Sequence, residues 1–278
     1  MSLDHVDVLI IGAGLSGIGA ASHLEREAPN KSYAILESRG AMGGTWDLFR
    51  YPGIRSDSDM HTLGYNFKPW KHERAIADGP TILDYIRETA REYDVEKHIR
   101  YNHRATKISW DSDRAVWTVT IEGEGASPRA ISCNFIYSCT GYYRYDQGYT
   151  PEFPDVEQFK GQLIHPQLWP EDLDYADKNV VVIGSGATAI TVVPEMAKTA
   201  KHVTMLQRSP TYVVSRPGRD PFALRMNRWL PSKLAYLVTR WKNVSMQALI
   251  YQYSRRRPQK MKAFLLSLTR RELAGKVD

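Results

Sequence analysis

Short apolar runs, each followed by a glycine-rich turn, are the clearest pattern along the chain. Residues 7–11 form a nearly continuous apolar run, which is typical of a parallel strand buried on both faces. A glycine-rich turn over residues 12–17, a helical stretch to about residue 26 and an apolar strand over residues 33–36 follow. The start of the chain is therefore predicted to fold as strand, turn, helix and strand.

The same order of elements returns in the second half of the chain. Residues 179–183 form another apolar run, followed by a turn with two glycines, a helical stretch to about residue 199 and a strand over residues 203–207. From residue 221 onward the pattern favours helices that are rich in Trp and Arg. The chain thus contains two units of similar local design.

The region between these units has its own pattern. Residues 80–93 place apolar side chains at helical spacing, which predicts one amphipathic helix. Three strand-like runs follow at residues 105–110, 116–121 and 131–138, and we expect a small antiparallel sheet over about residues 104–138. A polar turn and then a Gly/Ser/Pro-rich turn separate the three runs. Residues 38–59 are irregular and too long for a plain connection, so they are expected to carry function.

Composition narrows the function classes. The 278 residues are 42% hydrophobic and 24% charged, with 19 Gly and 15 Pro, which excludes a disordered or collagen-like chain. No apolar stretch approaches the ~20 residues that cross a bilayer, and the N-terminus shows no secretory signal pattern. The two cysteines, Cys133 and Cys139, show no metal-ligand spacing. A reducing cytoplasm is the expected location.

Charge is distributed unevenly along the chain. The net charge is +6, yet residues 201–278 hold 17 Lys and Arg against three Asp and Glu. Weak peripheral contact of this segment with anionic lipid is one interpretation. The other is a surface that faces acidic segments outside this sequence. No motif supports nucleic-acid binding.

The first glycine turn carries a dinucleotide-binding pattern. Gly12 permits a tight turn, Gly14 lets the backbone approach a pyrophosphate, and Gly17 lets helix and strand pack closely. The helix that begins here offers backbone N–H groups to phosphates, and Ser16 adds a donor. Glu37 ends the next strand, where an acid accepts hydrogen bonds from ribose hydroxyls.

The second glycine turn, built on Gly184, Gly186 and Ala189, differs at the end of its following strand. Arg208 and Ser209 stand there in place of an acid. An acid would repel a 2′-phosphate, whereas an arginine pairs with it and a serine donates to it. The second site is therefore predicted to select NADPH; the alternative is that Arg208 only solvates the end of the strand.

These patterns predict an α/β protein with two Rossmann-like dinucleotide-binding domains. We expect an FAD-binding domain over residues 1–141, a crossing segment over residues 142–178, and an NADP-binding domain over residues 179–278 with a basic helical insert over about residues 221–278. A doubly wound sheet needs several parallel strands on each glycine turn, and the second unit supplies two. The sequence is therefore expected to be truncated at its C-terminus.

Two dinucleotide sites in one chain imply a redox enzyme in which a nicotinamide reduces a bound flavin. The first site is expected to hold FAD and the second NADPH. In such enzymes the flavin performs the demanding chemistry. The chain shows no Ser/His/Asp or Cys/His arrangement, no metal-ligand spacing and no Cys-x-x-Cys pair, and the last absence argues against a disulfide reductase.

A longer motif narrows the class. Residues 159–170, Phe-Lys-Gly-Gln-Leu-Ile-His-Pro-Gln-Leu-Trp-Pro, resemble the fingerprint of Baeyer–Villiger monooxygenases, Phe-x-Gly-x-x-x-His-x-x-x-Trp-Pro/Asp. The related flavin-containing monooxygenases usually carry Tyr or Phe at the position of Trp169. Further matches are Gly-Gly-Thr-Trp at residues 43–46, Arg-Tyr-Pro-Gly at 50–53, Arg-Ser-Asp-Ser-Asp at 55–59 and Cys-Thr-Gly-Tyr at 139–142. The resemblance covers essentially the whole sequence but only the N-terminal part of the family's length.

The resemblance implies where FAD would bind. Ser16 and Glu37 would contact its phosphate and ribose, and the backbone of Ala105 would meet the adenine. The residues implied to line the flavin are Gly44, Thr45, Trp46, Asp47 and Leu48. The plain alternative for Trp46 is packing between domains, which is also the alternative for His165 and Trp169.

The resemblance also implies where NADPH would bind and how the two cofactors would meet. Arg55, Ser56 and Asp57 would lie where flavin and nicotinamide come together. The residues implied to bind NADPH are Gly184, Ser185, Gly186, Ala187, Thr188, Ala189, Ile190, Arg208 and Ser209. His165 and Trp169 would couple cofactor binding to domain movement.

The activity that the resemblance implies is oxygenation of a small molecule. NADPH would reduce FAD, and the C4a-peroxide formed with O₂ would convert a ketone to an ester or lactone, or oxygenate a sulfide. Arg55 and Asp57 are the catalytic candidates near the flavin. Arg55 is the candidate for stabilising a peroxyanion, because this requires a cation in a water-poor site; the family's own arginine would lie beyond residue 278. A flavin-containing monooxygenase for amines or sulfides and an inactive cofactor-binding fragment stay open, as do the substrate and the oligomeric state.

Overall fold

The computed structural model describes residues 4–123, 129–209 and 211–274. Its strands are β1 (Asp4–Ile11), β2 (Tyr33–Leu36), β3 (Ile99–Arg100), β4 (Arg104–Asp111), β5 (Val116–Glu122), β6 (Arg129–Ser138), β7 (Asn179–Ile183) and β8 (His202–Leu206). Its α-helices are α1 (Leu15–Glu27), α2 (Thr45–Leu48), α3 (Met60–Leu63), α4 (Gly79–Glu92), α5 (Ala187–Met196), α6 (Pro221–Trp229), α7 (Ser232–Arg256) and α8 (Pro258–Leu273). The predicted Gly/Ser/Pro-rich turn falls mainly on residues 124–128, outside the described residues.

The chain divides into two compact units. The first unit consists of Met1–Tyr51 and Gly79–Leu173, and the second of Pro52–Asp78 and Asp174–Asp278. The segment Pro52–Asp78 therefore makes its contacts within the second unit, although it lies in sequence between α2 and α4. The domain boundaries expected after residues 141 and 178 stay predictions.

The first unit is built on a six-stranded sheet with the order β3-β2-β1-β6-β5-β4. β1 pairs in parallel with β2 and with β6, while β5 pairs antiparallel with both β6 and β4. The predicted runs at 105–110, 116–121 and 131–138 are confirmed as strands. They extend the parallel sheet instead of standing apart from it, because β6 pairs with β1 along one edge and with β5 along the other.

The core of the first unit follows from the apolar runs. Leu9, Ile10 and Ile35 on the central strands are fully buried, as are Ile18 on α1 and Ile82 on α4. Burying an aliphatic side chain of this size contributes about 1.5–3 kcal/mol relative to leaving it exposed. Helix α1 packs against β1 and α4, and it thus places the glycine turn at the carboxyl end of β1.

The second unit contains a two-stranded parallel sheet and the helical C-terminal part. β7 and β8 pair in parallel, and α5 packs against both. Burial alternates along each strand, so Val181, Ile183 and Leu206 remain 55–62% exposed. Helix α7 packs against α6, α3 and α8. Among the residues described, none of the helices is both long and apolar enough to cross a membrane.

Candidate functional site

Backbone geometry at the first turn depends on two glycines. Gly12 has φ +104°, and a Cβ atom there would lie 2.4 Å from the carbonyl oxygen of Cys139. A Cβ atom on Gly17 would lie 1.9 Å from the carbonyl oxygen of Gly12. Such distances are far below van der Waals contact. Only glycine therefore lets the turn lie this close to the residue after β6, and lets α1 lie this close to the turn after β1.

Glu37 is oriented by the same turn. Its side chain is buried, and its Oε2 accepts a hydrogen bond from the backbone N–H of Ala13 at 2.9 Å. Its Oε1 accepts from the backbone N–H of Arg39 at 2.9 Å. The carboxylate is therefore fixed at the carboxyl end of β2 and next to the turn, where the sequence places the ribose-binding acid.

The start of α1 and the turn before α2 lie against each other. The N–H of Gly43 donates to the carbonyl of Ala13 at 2.9 Å, and a Cβ atom on Gly44 would lie 3.1 Å from the Cα of Gly14. No side chain caps the N-terminus of α1 and no acid occupies its first turn. Ser16 is exposed in that turn. These features fit the phosphates of a dinucleotide.

Among the predicted flavin-lining residues, Thr45, Trp46 and Leu48 are half-buried and Asp47 is buried. The carboxylate of Asp47 accepts from Nη2 of Arg39 at 2.7 Å, of Arg87 at 3.3 Å and of Arg50 at 3.5 Å. These guanidinium groups compensate the buried charge within the first unit. Contact of Asp47 with a flavin stays a prediction.

Asp47→Asn is expected to destabilise the first unit in the absence of any cofactor. It removes the charge that the three guanidinium groups share, and breaking a buried ion pair costs up to about 3–5 kcal/mol. Because the arginines are 25–42% exposed, we expect a loss of about 1–3 kcal/mol in thermal or urea unfolding. The control is Asp84→Asn, an exposed residue of α4. An unchanged midpoint with weaker FAD binding would instead assign Asp47 to the cofactor.

Ala105 and the fingerprint residues also belong to the first unit. Ala105 is half-buried on β4, opposite Ile121. His165 caps a short 3₁₀ turn, since its Nδ1 accepts from the N–H of Gln167 at 3.2 Å. Its ring covers Gly148, where a Cβ atom would lie 2.3 Å from the imidazole. His165 thus has a clear packing role here, and the coupling role stays a prediction.

The second turn is more open than the first. Gly184 has φ +134°, and neither Gly184 nor Gly186 would bring a Cβ atom within 4 Å of another residue. The N–H of Gly184 donates to the carbonyl of Leu206 at 2.9 Å, which joins the turn to the end of β8. No side chain caps α5, whose first turn contains no acid. The turn therefore has room for a phosphate beside the backbone of Gly186.

The residues after β8 lie beside this turn. Ser185 donates from Oγ to the carbonyl of Ser209 at 3.4 Å, and Thr211 donates to Ser185 Oγ at 3.3 Å. Arg208 is exposed, and no carboxylate of the described chain lies within ion-pair distance of it. Of the remaining predicted residues, Ala187 is exposed, Thr188 and Ile190 are half-buried, and Ala189 is buried.

Arg55, Ser56 and Asp57 belong to the second unit, whereas the other residues predicted to bind FAD belong to the first. Arg55 and Asp57 are exposed, whereas Ser56 is buried and shares three hydrogen bonds with the backbone of Ala77. Just before them, a Cβ atom on Gly53 would lie 2.4 Å from Glu195 of α5. The segment therefore packs on the helix that follows the second glycine turn.

A polar cluster between α7 and this segment was missed from the sequence. Asp220 caps α6 and accepts from Nζ of Lys242 at 3.0 Å. Burial alone would raise the pKa of Asp220, but the hydrogen bond and charge of Lys242 lower it below its usual value. Burial lowers the pKa of His61, whose Nδ1 finds no hydrogen-bond partner in the described part of the chain. Polar residues at regular spacing on α7 were the available signal.

The arrangement offers two dinucleotide turns, each on its own unit. Within residues 4–123, 129–209 and 211–274, no three His, Cys, Asp or Glu side chains are grouped as metal ligands. The polar groups at the two turns are the helix N-termini, the buried carboxylate of Glu37 and the exposed guanidinium of Arg208. Such groups suit the binding and orientation of nucleotides, and the two turns place the chain among proteins with dinucleotide-binding folds.

Two family models match the chain. The model described as flavin-binding monooxygenase-like matches residues 70–273, and that of the NAD(P)-binding Rossmann-like domain matches residues 10–72. The chain belongs to the flavin-binding monooxygenase-like family. Family membership and the α/β class with a Rossmann-like domain, both predicted from the sequence, are confirmed.

Individual relatives agree with the family assignment. The FAD-containing monooxygenase EthA of Mycobacterium tuberculosis (strain ATCC 25618 / H37Rv) is 56% identical over 276 residues, 99% of this chain and 56% of the relative. The probable FAD-binding monooxygenase AlmA of Acinetobacter baylyi is 52% identical over 275 residues, 99% of this chain and 55% of the relative. The chain spans about half the length of these relatives.

Solved structures show the same fold. An oxidised steroid monooxygenase bound to NADP superposes with a TM-score of 0.70 at 29% identity, over 84% of this chain and 43% of that chain. Cyclohexanone monooxygenase from Rhodococcus sp. Phi1 bound to NADP⁺ gives a TM-score of 0.67 at 28% identity, over 78% of this chain and 41% of that chain.

Proposed function

We propose that this chain binds FAD at the first glycine turn and NADPH at the second, as the cofactor-binding part of a Baeyer–Villiger monooxygenase. The observation that carries the proposal is the difference between the two strand ends. Glu37 is buried and oriented at the end of β2, and Arg208 is exposed at the end of β8. An acid suits free ribose hydroxyls, and an arginine suits a 2′-phosphate. Relatives named as FAD-containing and structures bound to NADP support the same assignment.

The residues of each turn bind their cofactor because the fold already holds them in place. The hydrogen bond from Ala13 holds Glu37 ready for a ribose, so little side-chain order is lost on binding. The uncapped start of α1 offers N–H groups to the pyrophosphate. At the second turn, Gly184 and Gly186 leave open space for the phosphates of NADPH.

FAD, when bound, supplies the redox chemistry, since it accepts hydride from NADPH and activates O₂. In the balanced reaction for a ketone substrate, the ketone, O₂, NADPH and H⁺ are converted to an ester or lactone, water and NADP⁺. Arg55 and Asp57 are the proposed catalytic residues. Both side chains are exposed in the described part of the chain, so Arg55 would lie in a water-poor site only once bound cofactors and substrate cover it. Ser56 between them fixes the backbone through Ala77.

The test is a cofactor and product assay on the full-length protein. We expect a yellow protein that oxidises NADPH faster than NADH, and that converts a cyclic ketone to a lactone detectable by mass spectrometry. Parallel assays with a sulfide and a tertiary amine distinguish the substrate classes. The negative control is the same mixture without O₂.

Each other outcome contradicts a stated part of the proposal. Oxygenation of the amine without lactone formation would assign the protein to amine and sulfide oxygenation. FAD binding without NADPH oxidation would leave a cofactor-binding protein without this activity. Protein that never takes up FAD would overturn the assignment of the first turn.

A further inference from the structure

One face of α7 carries polar side chains directed at the segment Pro52–Asp78. Tyr236, Arg240, Asn243 and Gln247 are spaced by four, three and four residues, which places them on one face of a helix. Each donates a hydrogen bond to a residue of that segment. Tyr236 and Asn243 are buried, and Arg240 and Gln247 are half-buried. This row of four residues, the α7 polar row, joins two parts of the second unit that are far apart in sequence.

Arg240 closes the carboxyl end of α3. Its Nη1 donates to the carbonyl oxygens of His61 at 2.8 Å, Thr62 at 3.1 Å and Gly64 at 2.7 Å. Carbonyls at the end of a helix have no partner within the helix, and a cation there is favourable. A four-residue helix such as α3 has little stability of its own. Its conformation therefore depends on contacts of this kind.

The opposite end of α3 is held by the same row. The carboxylate of Asp59 caps α3 by accepting from the N–H of Thr62 at 3.1 Å. It also accepts from Nδ2 of Asn243 at 2.8 Å and from Nε2 of Gln247 at 3.2 Å. Since Asp59 is buried, these donors compensate its charge. Both ends of α3 are thus fixed by α7.

Short backbone connections link α3 to the Arg55–Asp57 turn. Asp59 follows Asp57 by two residues, the N–H of Met60 donates to the carbonyl of Ala75 at 2.7 Å, and that of Ser56 donates to the carbonyl of Ala77 at 2.9 Å. The exposed side chains of the turn therefore extend from a backbone that is anchored on both sides. A shift of α3 would change where those side chains point.

We propose that Arg240 is a positioning residue, which fixes the Arg55–Asp57 turn through α3. This inference rests on the proposed function, because the turn matters for catalysis only if its side chains serve the NADPH reaction. The basic helical insert would then serve contacts within the second unit. Arg240 acts through other residues and is not itself a catalytic residue.

The first test measures the backbone without any catalysis. In the full-length protein, Arg240→Ala is expected to raise amide hydrogen exchange over residues 55–64 by about tenfold, as a local opening would. Arg240→Lys, which keeps the charge but fewer well-placed donors, is expected to give an intermediate rise. The matched control is Lys233→Ala, an exposed residue in the first turn of α7. Exchange at the wild-type level in Arg240→Ala would overturn the inference.

The second test separates positioning from general damage. We expect the rate of flavin reduction by NADPH to fall about tenfold in Arg240→Ala, with the Kd of NADPH changed less than about twofold. Adding Asp57→Ala is expected to cause no larger loss than Asp57→Ala alone, because both changes remove the same contribution. The positioning role would be contradicted if the losses in reduction rate from Arg240→Ala and Asp57→Ala multiply in the double variant. It would also be contradicted if Arg240→Ala changes the reduction rate and the Kd of NADPH by equal factors.

The outcomes distinguish the two proposals. A wild-type protein that is not reduced by NADPH would overturn the proposed function, while the exchange measurement still tests the contact between Arg240 and the turn. The inference about Arg240 alone would be overturned if NADPH reduces the wild-type protein and both variants match it. The variants are Arg240→Ala and Arg240→Lys, and the quantities compared are the rate of flavin reduction and the amide hydrogen exchange. If Arg240→Ala does not fold, Arg240→Lys is used for both measurements.

Discussion

Gly17→Ala is expected to destabilise the first unit by about 3 kcal/mol or more, whether or not FAD is present. The added methyl would lie 1.9 Å from the carbonyl oxygen of Gly12, and this neighbour is backbone that cannot turn aside. Overpacking a close contact costs about 1–3 kcal/mol or more. For a unit of this size the unfolding midpoint should fall by roughly 6–12 °C, measured by circular dichroism.

Gly14→Ala is the matched variant in the same turn. Its Cβ atom would lie 3.6 Å from the Cα of Gly44, an ordinary contact, and its extended backbone suits alanine. We expect an unfolding midpoint near that of the wild type. FAD affinity should still fall about 100-fold or more, because the methyl stands where the backbone meets the pyrophosphate.

The pair separates packing from cofactor binding within one turn. FAD affinity is measured by quenching of flavin fluorescence during titration. Wild-type stability in Gly17→Ala would show that α1 can move away from β1, and would contradict the close packing described here. Wild-type FAD affinity in Gly14→Ala would show that the cofactor does not approach this turn.

Local sequence patterns were sufficient to predict the strands and helices around both glycine turns. The apolar runs predicted β1, β2, β7 and β8, and the helical spacing at residues 80–93 predicted α4. These elements depend on short-range rules, since a buried strand needs an apolar run and a tight turn needs glycine. For the same reason the sequence alone predicts that Gly12 forms a tight turn and that Gly17 lets helix and strand pack closely.

Contacts between distant segments were not predictable in the same way. The packing of Pro52–Asp78 within the second unit depends on Arg240, Asn243 and Gln247, which follow that segment by more than 160 residues. The short helices α2 and α3 carry too few residues to show a period. The ion pairs of Asp47 likewise join residues that the sequence keeps apart.

The basic C-terminal segment shows how composition alone misses a function. Its charge suggested lipid or an acidic surface as its partner, and contact with anionic lipid stays a prediction. The structure shows that Arg240 and Lys242 serve contacts within the second unit. Trp241, which lies between them in sequence, is 68% exposed. The sequence shows that the segment is positively charged. Which of its basic residues face the protein depends on their positions around the helix.

Arg208→Ala is expected to lower kcat/KM for NADPH by about 10–100-fold and to leave that for NADH within about twofold. A hydrogen bond to a charged group is worth about 1.5–3 kcal/mol, and each 1.4 kcal/mol corresponds to about tenfold. NADH lacks the 2′-phosphate, so it has no group for Arg208 to bind. The measurement is the ratio of the two kcat/KM values in the full-length protein at constant ionic strength, since salt screens an exposed charge.

Arg216→Ala supplies the control for this change, because Arg216 is also exposed and lies eight residues beyond Arg208. It removes the same net charge, so a general electrostatic effect on a polyanionic cofactor would appear equally in both variants. Titration with NADP⁺ and NAD⁺ tests the preference without catalysis. A selectivity ratio that falls in Arg208→Ala and not in Arg216→Ala would assign the 2′-phosphate to Arg208. If the ratio of kcat/KM for NADPH to that for NADH is the same in both variants and the wild type, Arg208 does not bind the 2′-phosphate. Arg208 would then only be a solvated side chain at the end of β8, and the phosphate would be bound by other residues.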